Sequence, residues 1–586
     1  MIAYDFETTR IEKGTPRPLY ITAYGENPKM WLEKPIRNMS HLHQILVNDF
    51  LTEDYDGIKF VAWNANNFDA YFVAAALLND ATYTIRPYLT RSKSLRGMRI
   101  YLTEYLNDNG EYPKDKPSWE FLDGMAMLGF AGLPLSKFLD NFAPDHKKLT
   151  GTINFDTETF DAKNKSHCAY AMRDSEGLYH GMVKAQNILL ERFNQPVTVT
   201  MGGACIKIFQ ANLPKETVVF APPDELESII RDYAMRGGYC YCVKRYQGPV
   251  WKYDLNQAYA AAMRESKLPS GYVNHVEGRV REGCEVYFAR ITATKPNNQI
   301  PFYYRTLING RIKSQFSLNE IHDTWLTSIE IEQLQSEHWE IKIFESWCYS
   351  DSFSMVEYVD KLETIRTTCE GGPSGPIGTM VKGVGNHSYG KTVEKIEPIA
   401  YLLSAANPPG YLPVYDGDDV DPLDHVFYQD IEDQRPKHYH QPQLGAFITA
   451  HVRMVVRRAA LINPSAWLYA DTDCVVFSQN VTKELDIDAK RYGAWKIEES
   501  GTDFQIIAKK VYINLSDGVG HAKGLNVKRL KTADYDAWFR GTPPIQEQVQ
   551  RQNFLVAMQG GEMYRSQIRS GTSVENLQHD ANLQHA

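Results

Sequence analysis

Residues 469–473 read Tyr469-Ala470-Asp471-Thr472-Asp473, set between Ala466-Trp467-Leu468 and Cys474-Val475-Val476-Phe477. Apolar and β-branched residues on both sides read as two strands, and the polar centre reads as their turn. Asp471 and Asp473 are two apart, so in extended chain both carboxylates point to one face. Two adjacent carboxylates repel, and each takes up a proton unless a cation sits between them. Mg²⁺ is the natural partner, because it takes oxygen ligands and keeps positions open for phosphates. The same residues also suit an ordinary solvated hairpin turn.

At 586 residues the chain holds several packed units. Apolar content of 43% and charged content of 23% are those of a soluble globular protein, with no apolar run of membrane-spanning length. Met1-Ile2-Ala3-Tyr4 runs directly into Asp5 and Glu7, unlike a secretory signal, and the eight cysteines are scattered. The expectation is reduced thiols, a cytoplasmic location and no membrane partner. A net charge of −9 runs against a basic chain surface, so any DNA track must be local.

Working outward to the N-terminus, alternation puts Asp5 and Glu7 on one face of a strand within Ile2-Ala3-Tyr4-Asp5-Phe6-Glu7-Thr8-Thr9. Trp63-Asn64-Ala65-Asn66-Asn67-Phe68-Asp69 is a polar cluster closing the strand Lys59-Phe60-Val61-Ala62. Tyr170 and Asp174 lie four apart in a helical pattern from about Lys165 to Glu191. Each alone suits an exposed acid, a loop turn or a surface helix pair. Together Asp5, Glu7, Asp69 and Asp174 supply the four carboxylates of a two-metal phosphodiesterase.

Asp-x-Glu, Asn-x-x-x-Phe-Asp and Tyr-x-x-x-Asp, in this order, resemble the three motifs of the proofreading 3′→5′ exonucleases. The resemblance implies that the four acids hold two metals and that Tyr170 orients the attacking water. It also implies that Thr8, Asn64 and Phe68 grip a single-stranded 3′ end. Gly124, after Phe121-Leu122-Asp123, departs from the Ser or Thr usual there, so no DNA-binding role passes to it. The family's lysine upstream of the third motif is open, with Lys147 and Lys148 nearby and Thr150 at the aligned position.

Beyond residue 196 the texture changes. Tyr233-Ala234-Met235-Arg236-Gly237-Gly238-Tyr239 keeps an Arg-Gly-Gly core similar to a template-touching segment of family B DNA polymerases. Asp254 and Tyr259 keep the spacing of that family's Asp-x-x-Ser-Leu-Tyr-Pro, with Gln257, Ala258 and Ala260 departing from it. The match implies that Asp254 is the third carboxylate of the Asp471/Asp473 metal site. It also implies that Tyr259 lies beneath the incoming sugar and excludes a 2′-hydroxyl, the group that separates RNA from DNA. Four-residue spacing puts Lys382 and Asn386 on one helical face with Tyr389 near it, although Gly383 and Gly385 weaken that helix. This stretch resembles the fingers motif Lys-x-x-x-Asn-Ser-x-Tyr-Gly, with His387 replacing Ser. Arg366 falls where relatives carry a second triphosphate-binding lysine. Lys510 and Tyr512 match Lys-x-Tyr, whose alternation puts both on one face for the primer terminus. His521-Ala522-Lys523-Gly524 resembles a further DNA-contact segment.

The motif order over residues 5–525 is similar to family B DNA polymerases, and two long insertions resemble the protein-primed branch of small phages and linear plasmids. The fold class implied is α/β (α+β) and multidomain, an RNase H-like exonuclease followed by a right-hand polymerase. The expected divisions are exonuclease 1–195, first palm part 196–265, terminal-protein-binding insertion 266–352, fingers 353–393, strand-displacement insertion 394–436, second palm part 437–523, and thumb with a frayed tail 524–586. Pro408-Pro409-Gly410-Tyr411 reads as a stiff turn between two arms of the second insertion, which in relatives projects from the palm. Residues 445–450 read as strand or helix. The expected function is DNA-dependent DNA synthesis with 3′→5′ proofreading, protein priming and strand displacement. Expected partners are template and primer DNA, dNTPs and a terminal protein, for a monomer using two Mg²⁺ per active site, with Mn²⁺ able to substitute. The alternatives are a DNA-primed polymerase of the same family and a nuclease whose polymerase-like half only binds DNA.

Overall fold

In the computed structural model, which describes residues 1–10, 13–150, 153, 158–394, 399–415, 422–430 and 439–571, the first strand Ile2–Thr8 sorts its side chains by alternation. Ile2, Tyr4 and Phe6 enter one hydrophobic core and Ala3 enters another, so Asp5 and Glu7 fall on the Ala3 side. The strand pairs antiparallel with Pro18–Glu26 and parallel with Lys59–Ala62 inside a ten-stranded sheet. The helix Lys165–Phe193 lies across the acidic side, pinned by a 2.8 Å hydrogen bond between the Thr22 and Ser175 hydroxyls. Asn164 caps its start by accepting from the Ser166 N–H, and Asn194 ends it in the left-handed region at φ 52°.

The far edge of this sheet is made by residues distant in sequence. Strands Ile399–Ser404, Leu412–Tyr415 and Pro422–Asp430 extend it through the pairings of Leu403 with Ile85 and Ser404 with Thr84. The second insertion was expected to project from the palm, and its described strands instead join the N-terminal sheet. The physical reason is an open strand edge at Tyr83–Leu89, whose backbone groups need partners. The turn at 408–411 does separate two strands, and it docks as well. A Cβ on Gly110 would lie 2.5 Å from the Tyr411 ring, so only glycine permits that contact.

A seven-stranded sheet forms the centre of the second half. Its order is Gly520–Ala522, Val511–Asn514, Trp495–Ala508, Tyr246–Leu255, Cys474–Phe477, Trp467–Thr472 and Tyr239–Cys242. Residues 445–450 belong to the helix Pro442–Ile462, buried on several sides against this sheet and the insertion. The first insertion folds into a four-stranded sheet, a hairpin and the helix Ser328–Ser336.

Buried ions lock that insertion to the palm. Arg236 and Arg453, 0% and 1% exposed, share the Glu330 carboxylate, while Arg457 grips Glu337 with two 2.7 Å hydrogen bonds. Removing one partner strands a buried charge and costs about 3–5 kcal/mol. The Arg-Gly-Gly segment is therefore packed inward here. Arg236 reaches Glu330 and the Tyr303 carbonyl, and Gly238 clears Thr472, whose Cα would lie 2.7 Å from an added Cβ.

Helices Val356–Thr368 and Pro376–His387 form the next unit. Gly383 and Gly385 cost helix propensity and gain close packing. Cβ atoms there would meet the Met201 methyl at 3.3 Å and Ala260 Cβ at 3.6 Å. At the C-terminal end Phe554, Leu555 and Met558 pack into the N-terminal core, and strands Ile545–Arg551 and Tyr564–Ser570 form a hairpin. The C-terminal tail beyond Gly571, expected to be frayed, lies outside the described residues. Among the described residues no helix is long and apolar enough to cross a membrane.

Candidate active sites

The first site gathers the N-terminal acids. Asp69 opens the helix Asp69–Leu77 and its Oδ1 accepts a 3.2 Å hydrogen bond from the Phe6 N–H, between Asp5 and Glu7. Asp174 comes in from the long helix. Burial raises the Asp5 carboxyl well above its usual range, and Asp69 and then Glu7 push it further. Glu7 rises to about 7 through burial and then Asp174, and Asp69 to about 7 chiefly through burial. Asp174 is raised by burial against the pull of Lys148.

Of the two nearby lysines, Lys148 is the one that reaches these acids. Its Nζ lies 2.6 Å from Asp174 Oδ2 and 5.1 Å from the centre of the Tyr170 ring. Burial opposes its charge, but Asp174 and then Tyr170 outweigh that and raise its pKa. Lys147 pairs with Asp140 instead, and Thr150 is exposed. One lysine among four crowded acids leaves excess negative charge on an all-oxygen donor set, which fits hard divalent cations.

Beside the acids runs the loop carrying the other N-terminal candidates. Asn64 sits in the left-handed region at φ 67°, Phe68 is half-buried edge-on against Phe72 at 5.2 Å, and the Thr8 hydroxyl donates to the Thr9 carbonyl. Asp123 supports this loop by accepting the Asn66 N–H at 3.0 Å while capping the helix Gly124–Leu128. Arg551, from the C-terminal hairpin, donates to the Asn66 carbonyl at 2.8 Å and to Asn67. Neither Lys148 nor Arg551 carries a spacing signal in the sequence, because each arrives from a separate element.

The second site is the 469–473 hairpin. Asp471 is the next-to-last residue of its strand, Thr472 ends the strand in the left-handed region at φ 64°, and Asp473 lies in the turn, so the pair is not simply alternate residues of one strand. The Leu255 N–H donates to the Asp473 carbonyl at 2.7 Å, which ties the turn to the strand bearing Asp254. Asp471, Asp473, Lys252, Tyr469 and Tyr512 line a cavity of about 200 Å³. Burial, then Asp254, raises Asp473 to about 6. Asp254 is raised by burial although Lys496 stands 2.9 Å away. Asp254, Asp471 and Asp473 are all oxygen donors, the ligand type that a hard divalent ion takes.

The alternation of Lys510 with Tyr512 predicts one face of a strand. Lys510 instead occupies the left-handed turn at φ 60° between Trp495–Ala508 and Val511–Asn514. Its Nζ nevertheless reaches Asp471 at 3.2 Å, and its N–H donates to the Tyr469 hydroxyl at 3.1 Å. Tyr512 stacks on His521 at 5.4 Å.

Tyr259, at the start of the helix Ala258–Glu265, packs its ring 5.0 Å from Tyr389, which joins the palm to the Lys382 helix. Lys382 and Asn386 are exposed on that helix, while Arg366 lies over the Tyr492 ring at 6.0 Å. His387, the departure from Ser, turns its Nδ1 to the Gly383 carbonyl at 2.8 Å and its ring edge toward Gly129.

Residues 135–407 match the family model described as DNA polymerase type B, organellar and viral. The chain is 27% identical over 343 residues to the DNA polymerase of Streptococcus phage Cp-1, covering 55% of this chain and 54% of that protein. It is 26% identical over 291 residues to the DNA-directed DNA polymerase of Enterobacteria phage PRD1, covering 48% and 50%. The chain thus spans about half the length of these curated relatives. In fold it is similar to Phi29 DNA polymerase complexed with primer-template DNA and incoming nucleotide, with TM-score 0.72, 17% identity and coverage of 98% and 99%. The orthorhombic crystal form of Phi29 DNA polymerase gives TM-score 0.73 at 17% identity, covering 98% and 100%. Residues 135–407, a little under half of the chain, thus match the viral and organellar type B DNA polymerases, and nearly the whole chain shares the fold of the Phi29 DNA polymerase structures.

Proposed function

We propose that this chain is a DNA-dependent DNA polymerase with a separate 3′→5′ proofreading exonuclease, initiating on a terminal protein and displacing the strand ahead of it. The observation that carries the reading is the pair of carboxylate clusters on different sheets, in which Asp5, Glu7, Asp69 and Asp174 of the one and Asp254 and Asp473 of the other are raised above their ordinary range. Bound divalent ions, held by Asp254, Asp471 and Asp473 in one site and by Asp5, Glu7, Asp69 and Asp174 in the other, would stabilise the charge developed in phosphoryl transfer.

The chain's own residues supply the rest. Lys382 and Arg366 attract the triphosphate, and Asn386 orients it. Tyr259, backed by Tyr389, occupies the space a 2′-hydroxyl needs. Lys510 and Tyr512 hold the primer terminus. In the N-terminal site Tyr170 and Lys148 orient water beside Asp174, while Thr8, Asn64 and Phe68 hold the frayed 3′ end. The grip of Arg551 on the 66–67 loop gives a route by which the C-terminal unit senses that end. The insertion at 266–352 is assigned to a terminal protein.

Strand displacement is assigned to the second insertion acting as a wedge. Each base-pair step costs about 1.4 kcal/mol of stacking, and the one Gly-x-x-x-x-Gly-Lys-Thr match, from Gly385 to Thr392, begins inside the helix Pro376–His387 with Lys391 paired to Glu394, so it lacks the strand–loop–helix setting of an ATP motor's phosphate loop. The test is extension of a primed template into a duplex region with Mg²⁺ and dNTPs but no helicase. Full-length product is expected. No incorporation on single-stranded template would overturn the polymerase reading. Arrest at the duplex would overturn displacement alone. Covalent transfer of labelled dAMP to a basic protein encoded beside this chain tests priming.

A further inference from the structure

We propose that His146, Glu176 and His180 form a binding site for a borderline divalent transition ion, best matched by Zn²⁺, apart from both carboxylate sites. Among the described residues this is the one group of three His, Cys, Asp or Glu side chains whose ligand atoms all lie within 4.8 Å of one another. Glu176 and His180 are four apart on the helix Lys165–Phe193, so they share a face. His146 arrives on the short turn Pro144–His146, and Gly177 lets it in. A Cβ on residue 177 would lie 2.6 Å from the His146 carbonyl oxygen. The two imidazoles stack with centres 3.9 Å apart and planes 19° from parallel.

An ordinary His–Glu ion pair accounts for less of this arrangement. His146 Nδ1 lies 3.4 Å from Glu176 Oε1, yet that nitrogen is buried and makes no hydrogen bond. An ion pair also needs only one imidazole, and here a second is stacked on it. Burial, then the nearby His146, lowers the His180 pKa, which favours the neutral form that binds metal. Glu26 Oε1, 3.8 Å from His180 Nε2, is placed to add a fourth donor.

The donor types select the ion. Two imidazole nitrogens and a carboxylate suit Zn²⁺, whereas Mg²⁺ demands oxygen. With Zn–N bonds of about 2.0–2.1 Å, tetrahedral ligand atoms stand about 3.3 Å apart, so the rings must splay and close by side-chain rotation. Arg173, 3.3 Å from Glu176, is the competing cation that must move aside. The ion would clamp the 144–146 turn to the long helix, two residues before Lys148.

The test uses the full chain, stripped with chelator and dialysed against Zn²⁺ in millimolar Mg²⁺, which fills oxygen-only sites. A single equivalent of Zn²⁺ is expected, with affinity falling at least about tenfold in His146→Gln and His180→Gln. In the unsubstituted protein Zn²⁺ should shift the ring ¹⁵N resonances of two histidines. The Asp5→Ala/Glu7→Ala variant should bind the same equivalent, so the site is measured independently of the proposed exonuclease. Absence of bound Zn²⁺, unmoved histidine resonances, or an affinity in the two glutamine variants equal to that of the unsubstituted protein would each overturn the proposal.

Discussion

The two carboxylate sites solve one electrostatic problem in different surroundings. In the N-terminal site four acids converge from a strand, a helix start and a second helix, with Lys148 bound to Asp174. In the palm site three acids come from neighbouring strands and a turn. There Lys496 holds Asp254 and Lys510 holds Asp471. The N-terminal acids titrate higher, with Glu7 and Asp69 at about 7 against about 6 for Asp473. The contrast teaches that burial sets the demand for cations, while local lysines decide how much of it the protein meets itself.

The sharpest way to break the comparison is to exchange losses between the sites. Asp473→Asn should cut primer extension by at least about 10³-fold while 3′→5′ degradation survives, and Asp5→Ala/Glu7→Ala should do the reverse. Parallel assays on one labelled primer-template measure both, and a shared loss would mean the sites are not independent.

Lys148→Ala comes next. It should slow degradation by about 10²-fold or more, because Tyr170 and Asp174 lose their common partner, and leave extension near the parent rate. Lys147→Ala, beside it but paired with Asp140, serves as the control. Equal effects from the two substitutions would remove Lys148 from the site.

A smaller change is expected in sugar choice. Tyr259→Val should raise ribonucleotide use relative to deoxynucleotide use by about 10–100-fold, since space opens where a hydroxyl must fit. Competition between labelled rNTP and dNTP reads the ratio. An unchanged ratio would leave Tyr259 as packing for Tyr389.

The smallest effect is on stability. Glu7 and Asp69 have folded pKa values raised above their ordinary 4.5 and 3.8, so the native state holds protons that the unfolded chain has released. Their contribution is fully present below about pH 4 and is lost as pH rises through about 7. With EDTA, Tm should therefore fall by roughly 3–6 °C between pH 5 and 8, and Mg²⁺ should restore it at pH 8. Asp69→Asn should flatten the slope in a thermal shift series. A slope identical to that of the parent would place the proton uptake elsewhere.

Much of the fold and of both sites was legible in the sequence because local rules govern it. Alternation put Asp5 and Glu7 on one face, four-residue spacing paired Tyr170 with Asp174, and apolar runs framed the 469–473 turn. Residues that act by arriving from elsewhere carry no such period. Lys148, Lys496 and Arg551 reach their partners across 26, 242 and 485 residues of chain, counting to Asp174, Asp254 and Asn66. The second insertion was legible as long and turn-bearing, but its attachment to the N-terminal sheet depends on an edge strand offered by another domain. The glycines at 383 and 385 read as helix weakness, and only packing against Met201 and Ala260 shows what they permit. Sequence by itself determined which residue types occur at which spacing, since backbone geometry repeats every 2 or 3.6 residues. Only the tertiary structure decided which charges meet and which are buried, because burial and long-range pairing belong to the whole chain.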